Sequence, residues 1–285
     1  MKTVKGVVEH GRFRVPYRCY GDSENVLLCV SGALQTMAVW RTVARRFSSH
    51  FTVIVFDMPG VGRGEILSGS AQVGVDEQLA VVDAVLRAAA PQGALTLAGS
   101  SWGTAVAAAY AAQYPDHIQQ LVLSSFGLRT NDALAQVVAL AEQAYADRDY
   151  ARGSDILLAM VGPQIRDAYK RQVIAQFENL TDAGASAFLE HCLNVLSLGE
   201  LTDLVDLSRI RARTLIVNGA EDKIINPHDM YEARRLIDDC ECLLVEGVGH
   251  FLHFERPQLL DDYEAFMVPP RWSGQSSKRA RSASA

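Results

Sequence analysis

The segment from Leu95 to Gln113 constrains the fold of this chain more than any other. An apolar run, Leu95 to Ala98, leads straight into Gly99-Ser100-Ser101-Trp102-Gly103, and an Ala-rich helical stretch, Thr104 to Gln113, follows. Glycines two places either side of Ser101 remove the β-carbons that would collide in a sharp turn from strand to helix. Such a turn presents the Ser101 hydroxyl above the end of a strand. A serine hydroxyl is a weak nucleophile at its free pKa, so chemistry at Ser101 needs a base within hydrogen-bond reach and donors for an oxyanion.

The rest of the chain repeats this rhythm. Val26 to Val30, Thr52 to Phe56 and Leu95 to Ala98 are continuous apolar runs of the kind that strands buried on both faces require. They are followed by Ser31-Gly32-Ala33, by Asp57-Met58-Pro59-Gly60-Val61-Gly62 and by the Ser101 turn. Helical stretches alternate with the runs, which predicts an α/β fold with a mostly parallel central sheet. Ligands bind outside the carboxyl ends of such strands, so the three loops should converge on one site. Val4 to Glu9 and Arg12 to Cys19, separated by His10-Gly11, predict an antiparallel hairpin at one edge.

After the strand expected at Gln120 to Ser124 the pattern changes. Helical stretches such as Ala133 to Ala146 and Gln164 to Asn179 follow without a strand among them, and strands resume at Thr214 to Asn218 and Cys242 to Glu246. The reading is a core over residues 1–130, an inserted helical cap over 131–208, the second part of the core over 209–270, and a disordered basic tail over 271–285.

The base should lie on a late loop, and His250 fits in Gly247-Val248-Gly249-His250-Phe251 after the last strand. His253 is its competitor, although its place suggests packing at the start of the last helix. The acid that orients the imidazole should follow the penultimate strand, in Gly219-Ala220-Glu221-Asp222-Lys223. Asp222 is preferred and Glu221 is the alternative, because pattern alone does not separate adjacent carboxylates. The oxyanion donors would be the backbone N–H groups of Ala33 and Trp102. The Asp57 loop is glycine-rich but lacks the lysine and the spacing of phosphate-binding loops, and reads as a structural turn.

Composition limits the partners. The net charge is -6 over 285 residues, which argues against a surface built to neutralise nucleic-acid phosphates. Cys19, Cys29, Cys192, Cys240 and Cys242 lack metal-ligand spacing and read as buried thiols. No motif for a metal, nucleotide or flavin is present, so no cofactor is expected. No run approaches the roughly 18 apolar residues of a membrane span, and Met1 to His10 lacks the apolar stretch of a secretory signal, so a cytoplasmic protein is expected.

The order Ser101, Asp222, His250, together with Ser31-Gly32-Ala33 and Asp57-Met58-Pro59-Gly60, resembles the α/β-hydrolase superfamily over nearly the whole chain. Several stretches are similar to the 3-hydroxyacyl-ACP enzymes that make the lipid half of rhamnolipids, the 3-(3-hydroxyalkanoyloxy)alkanoate synthases, and to the related hydroxyacyl-ACP transacylases. They are Ser31-Gly32-Ala33 with Thr36 and Trp40, His50-Phe51 leading into Val55-Phe56-Asp57-Met58-Pro59, Ser101-Trp102-Gly103, Asn194-Val195-Leu196, Asn218-Gly219 and Gly249-His250-Phe251-Leu252. Ser-Trp-Gly also occurs in proline iminopeptidase-like members.

There are three departures. Ser31 stands where those enzymes have Asn and many hydrolases have His. Thr104 replaces a second Gly, and Gly64 replaces a Ser that commonly ends the Asp57 loop.

The resemblance implies that Ser101 takes an acyl group from an acyl carrier protein thioester and that a second hydroxyacyl unit collects it. Leu34, Trp102, Leu157 and Met160 would contact the substrate, within a cap whose apolar run also includes Ile156, Leu158 and Val161. Arg166, Lys170 and Arg171 recur at helical spacing, either as a solvated face or as a docking site for an acidic carrier. The same triad also suits a water-using carboxylesterase or thioesterase, and the scaffold can serve as a non-catalytic ligand receptor, which a complete triad disfavours.

Overall fold

Strands that carry apolar side chains on both faces need cover on both sides, and the computed structural model, which describes residues 2–90, 92–162 and 165–268, supplies it. Nine strands form one sheet: β1 Thr3–His10, β2 Phe13–Tyr20, β3 Val26–Val30, β4 Thr52–Phe56, β5 Glu65–Ile66, β6 Leu95–Ser100, β7 Ile118–Ser124, β8 Arg213–Gly219 and β9 Cys240–Val245. The order is β1-β2-β4-β3-β6-β7-β8-β9, with β5 paired to β2. The hairpin of β1 and β2 is antiparallel and joins β4 antiparallel, and every other neighbouring pair from β4 to β9 is parallel.

The helices are α1 Arg41–Phe47, α2 Val75–Ala89, α3 Trp102–Gln113, α4 Asp132–Ala146, α5 Tyr150–Met160, α6 Asp167–Glu178, α7 Asp182–Ser197, α8 Leu201–Leu204, α9 Asp229–Leu236, α10 Leu252–Glu255 and α11 Leu259–Met267. Alternation along the strands divides the core. Val26, Leu28 and Val30 of β3 join Ile54 and Phe56 of β4 under α2, α3 and α9. Leu27 and Cys29 join Val53 and Val55 under α1 and α11. Each such side chain contributes about 1.5–3 kcal/mol through burial. In α3 ten consecutive residues, Gly103 to Ala112, are buried, and all but Tyr110 carry small side chains that let the helix lie close on the sheet.

Helices α4 to α7 form the inserted cap between β7 and β8. Its two ends are tied together, since Leu201 N–H donates to the Leu128 carbonyl at 2.7 Å and Arg129 forms an isolated bridge with Glu200. Leu201, Val205 and Leu207 sink into the main core, so residues 201–207 are anchored in the body although they fall within the range expected for the cap. The tail expected at 271–285 lies outside the described residues, as does Gln164, the expected start of α6.

Candidate active site

Ser101 is the single residue between β6 and α3, and its backbone adopts φ 52° and ψ -125°. A side chain in that region costs about 1–3 kcal/mol and persists only where its surroundings hold it. Here Ser101 N–H donates to the Ser124 carbonyl at 2.8 Å. The Ser101 carbonyl accepts from Thr104 N–H at 2.8 Å and from Thr104 Oγ1 at 2.6 Å. Thr104, a departure from the family pattern, therefore braces the turn. A Cβ on Gly99 would lie 2.4 Å from the Gly103 carbonyl oxygen, and one on Gly103 would lie 2.3 Å from that of Val30. Both glycines are sterically required.

His250 Nε2 stands 2.9 Å from Ser101 Oγ, and His250 Nδ1 stands 2.6 Å from Asp222 Oδ2. The Asp222 side chain is fully buried, and its Oδ1 accepts from Ile224 N–H at 3.1 Å. Glu221, the alternative acid, is exposed and points elsewhere, while its N–H holds the Val248 carbonyl at 2.9 Å. The contact of the β8 loop with the His250 loop needs Gly219, whose Cβ would lie 2.2 Å from the Gly249 carbonyl oxygen. His253 lies away from Ser101, buried against Phe254 and Tyr263, where burial pushes its pKa down to about 4.

Two residues that sequence reasoning passed over hold the His250 loop. Glu255 accepts from Gly249 N–H at 2.8 Å and from Phe251 N–H at 3.0 Å, the two amides that flank His250. Ser125, with φ 59°, donates from Oγ to the His250 carbonyl at 2.6 Å. Ser125 directly follows β7, at the same end of the sheet as the other loops, and that position was the available signal.

The N–H groups of Ala33 and Trp102 have no acceptor among the described residues. Gly32 brings the Ala33 loop against Ser101, since a Cβ there would lie 2.8 Å from the Ser100 carbonyl oxygen and 2.9 Å from Ser101 Cβ. Ser31 Oγ is turned away from the site and accepts from Trp40 Nε1 at 2.9 Å. Leu34 has φ 57°, and its carbonyl accepts a hydrogen bond from the Gln176 amide of α6. Asp57 fixes the neighbouring loops by accepting from Met37 N–H at 2.6 Å and Arg63 N–H at 3.0 Å, while burial pushes its pKa up. Gly64 is required by the same turn, because a Cβ would lie 2.2 Å from the Met58 carbonyl oxygen.

A cavity of about 620 Å³ opens on Ser101 between the sheet's carboxyl end and α4 to α7. Ala33, Leu34, Ser101, Trp102, Leu157 and His250 line it, whereas Asp222 stands behind His250. Met160 is a correction: it does not face the cavity. Leu157 and Val161, four residues apart, do, and Met160 sits about 100° round the helix from Val161. Ile156 and Leu158 also point elsewhere.

The family described as alpha/beta hydrolase fold matches residues 25–257. The chain belongs to this family. It is an α/β-hydrolase-fold enzyme, and its curated relatives include both transferases and hydrolases. The (R)-3-hydroxydecanoyl-ACP:CoA transacylase of Pseudomonas aeruginosa is 23% identical over 278 residues, covering 95% of this chain and 92% of the relative. The 2-(acetamidomethylene)succinate hydrolase of Mesorhizobium japonicum is 26% identical over 259 residues, covering 88% and 90%. Among solved structures, the alpha/beta hydrolase enzyme MGS-M2 from a Medee basin deep-sea metagenome library superposes with a TM-score of 0.78 at 17% identity, over 90% of this chain and 95% of that one. That structural likeness carries the fold alone. No helix among the described residues is long and apolar enough to cross a membrane.

Proposed function

We propose that this α/β-hydrolase is a serine acyltransferase that joins two 3-hydroxyacyl units, delivered as acyl carrier protein thioesters, through an acyl-Ser101 intermediate. The cavity is the observation that carries the reading. Its volume falls in the range of about 300–1,000 Å³ common to small-molecule sites, its walls are mainly aliphatic and aromatic, and Ser101 and His250 are part of its lining. Such a space suits an acyl chain better than a small polar ester. The likeness to the (R)-3-hydroxydecanoyl-ACP:CoA transacylase supports the same substrate class.

In this mechanism Ser101 Oγ attacks the thioester carbonyl as His250 Nε2 takes its proton, and Asp222 stabilises the imidazolium across the 2.6 Å contact. The N–H groups of Ala33 and Trp102 hold the oxyanion. Collapse breaks the carbon–sulfur bond, and the departing thiolate takes the proton from His250. The 3-hydroxyl of a second unit then gives its proton to His250, attacks the acyl ester and restores Ser101. The product is an ester between two hydroxyacyl units. Helices α4 to α7 shield the acyl-enzyme from water. Arg166, Lys170 and Arg171, at or near the start of α6, offer the acidic carrier protein a cationic face.

The test is incubation of the full chain with 3-hydroxydecanoyl-ACP, with and without coenzyme A, followed by mass spectrometry of the products. An ester of two 3-hydroxydecanoyl units is expected. Free 3-hydroxydecanoic acid as sole product would move the chain to the second reading, a thioesterase or carboxylesterase. The hydrolase relatives favour that alternative.

A further inference from the structure

Helix α7 turns a stripe of one helical period toward the cavity: Phe188, His191, Cys192 and Val195. His191 is out of character in that stripe. Among the described residues two buried side-chain nitrogens lack a hydrogen bond, His191 Nε2 and His253 Nε2, and of these only His191 lines the cavity. His191 as a whole is half-buried and is part of the cavity lining, while its Nε2 is itself buried. It stands edge-to-face on Trp102, with ring centroids 5.1 Å apart and planes at 79°, beside the residue that follows the nucleophile.

Several other polar side chains of the lining are engaged, whereas no hydrogen bond is made by the side chains of Tyr169 and Gln172 among the described residues. Gln35 accepts from Gly32 N–H, Gln176 donates to the Leu34 carbonyl, Ser125 donates to the His250 carbonyl, and Thr104 donates to the Ser101 carbonyl. Arg129 is paired with Glu200 and Glu232. A buried polar group without a partner is costly and calls for an explanation, and at a cavity wall a bound ligand group is one that the chemistry allows. Burial drives the His191 pKa down to about 4, so near neutral pH the ring is uncharged and offers one donor and one acceptor.

A 3-hydroxyl matches this arrangement. With the acyl carbonyl at Ser101, covalent geometry puts the 3-oxygen about 3–4 Å from the carbonyl carbon, in the part of the cavity next to Ser101. A hydroxyl also both donates and accepts. We propose that His191 is the specificity residue that hydrogen-bonds the 3-hydroxyl of the acyl group on Ser101, selecting hydroxylated over plain acyl chains. This inference rests on the acyl-Ser101 reading above and goes further in naming the residue that reads the hydroxyl.

The experiment compares rates of Ser101 acylation, followed by intact-protein mass spectrometry, for the pantetheine thioesters of 3-hydroxydecanoate and decanoate. The wild type is expected to prefer the hydroxylated thioester by about tenfold, the size of one hydrogen bond. His191→Phe keeps an aromatic ring beside Trp102 but has no polar atom, and should abolish the preference, bringing the ratio of the hydroxylated to the decanoyl rate to about one. His191→Gln, which keeps a donor and an acceptor, should retain most of the preference. His191→Leu provides a second apolar variant if the Phe variant misfolds. Wild-type preference in the apolar variants, or equal loss on both thioesters, overturns the inference and leaves the acyl-enzyme reading standing. If neither thioester acylates the wild type while p-nitrophenyl acetate still does, the acyl-transfer reading falls and the inference falls with it.

Discussion

Removing the Glu255 carboxylate tests whether the His250 loop is held from outside the reacting groups. Its two oxygens accept from the amides on either side of His250, at 2.8 and 3.0 Å. Hydrogen bonds to a charged acceptor contribute about 1.5–3 kcal/mol each when buried. Glu255 is only half-buried, so the pair together is worth about 2 kcal/mol. Glu255→Ala should therefore lower the unfolding free energy by about 2 kcal/mol, measured by urea denaturation. The larger effect is on geometry. Freed of the clamp, His250 can drift from its 2.9 Å contact with Ser101, and misplacement on the order of 1 Å costs about 100-fold in rate. Acylation of Ser101 by a p-nitrophenyl ester should fall about 10- to 100-fold with KM unchanged, because Glu255 does not line the cavity. Glu255→Gln keeps one acceptor oxygen and should recover part of both losses. Equal acylation rates in wild type and Glu255→Ala would refute the clamp.

Three further outcomes follow from the same geometry. Ser101→Gly should abolish labelling by a fluorophosphonate and raise stability by about 1 kcal/mol, since glycine tolerates φ 52° without strain; a fall in stability would contradict the strained turn. Asp222→Asn should lower kcat by about 10⁴ through loss of the imidazolium partner, whereas Glu221→Gln should leave it unchanged; steady-state kinetics on both variants separates the carboxylates. His253 is held near a pKa of about 4 when folded against about 6.5 when unfolded, so the unfolded state gains its proton first as pH falls. Its contribution is intact above about pH 6.5 and declines by about 3 kcal/mol on descent to about pH 4, and denaturation of His253→Gln across that window should show a flatter profile.

The central strands were legible because burial on both faces leaves continuous apolar runs, and β3 and β4 occupy the residues those runs mark. Strand β5 was not, because two residues, Glu65 and Ile66, have no period to read and exist as a strand only through pairing with Phe13 and Arg14 of the hairpin. The Gly99 to Gly103 turn could be read because its glycines answer to sterics at fixed spacing. Asp222 and Glu221 could not be separated until the fold buried one side chain and exposed the other. Met160 was misplaced because its direction depends on where α5 ends and how the cap sits over the cavity. Glu255 acts through backbone amides and His191 through a space enclosed by distant helices, so neither leaves a local pattern.

The fate of the acyl group distinguishes transfer from hydrolysis at Ser101. Wild-type protein mixed with isotope-labelled 3-hydroxydecanoyl-ACP, quenched on a millisecond scale and digested, should carry one 3-hydroxydecanoyl mass on the peptide containing Ser101. A chase with unlabelled 3-hydroxydecanoyl-ACP should move that label into an ester of two hydroxyacyl units. No adduct on Ser101, or label recovered only as free 3-hydroxydecanoic acid, would contradict acyl transfer as the function of this site.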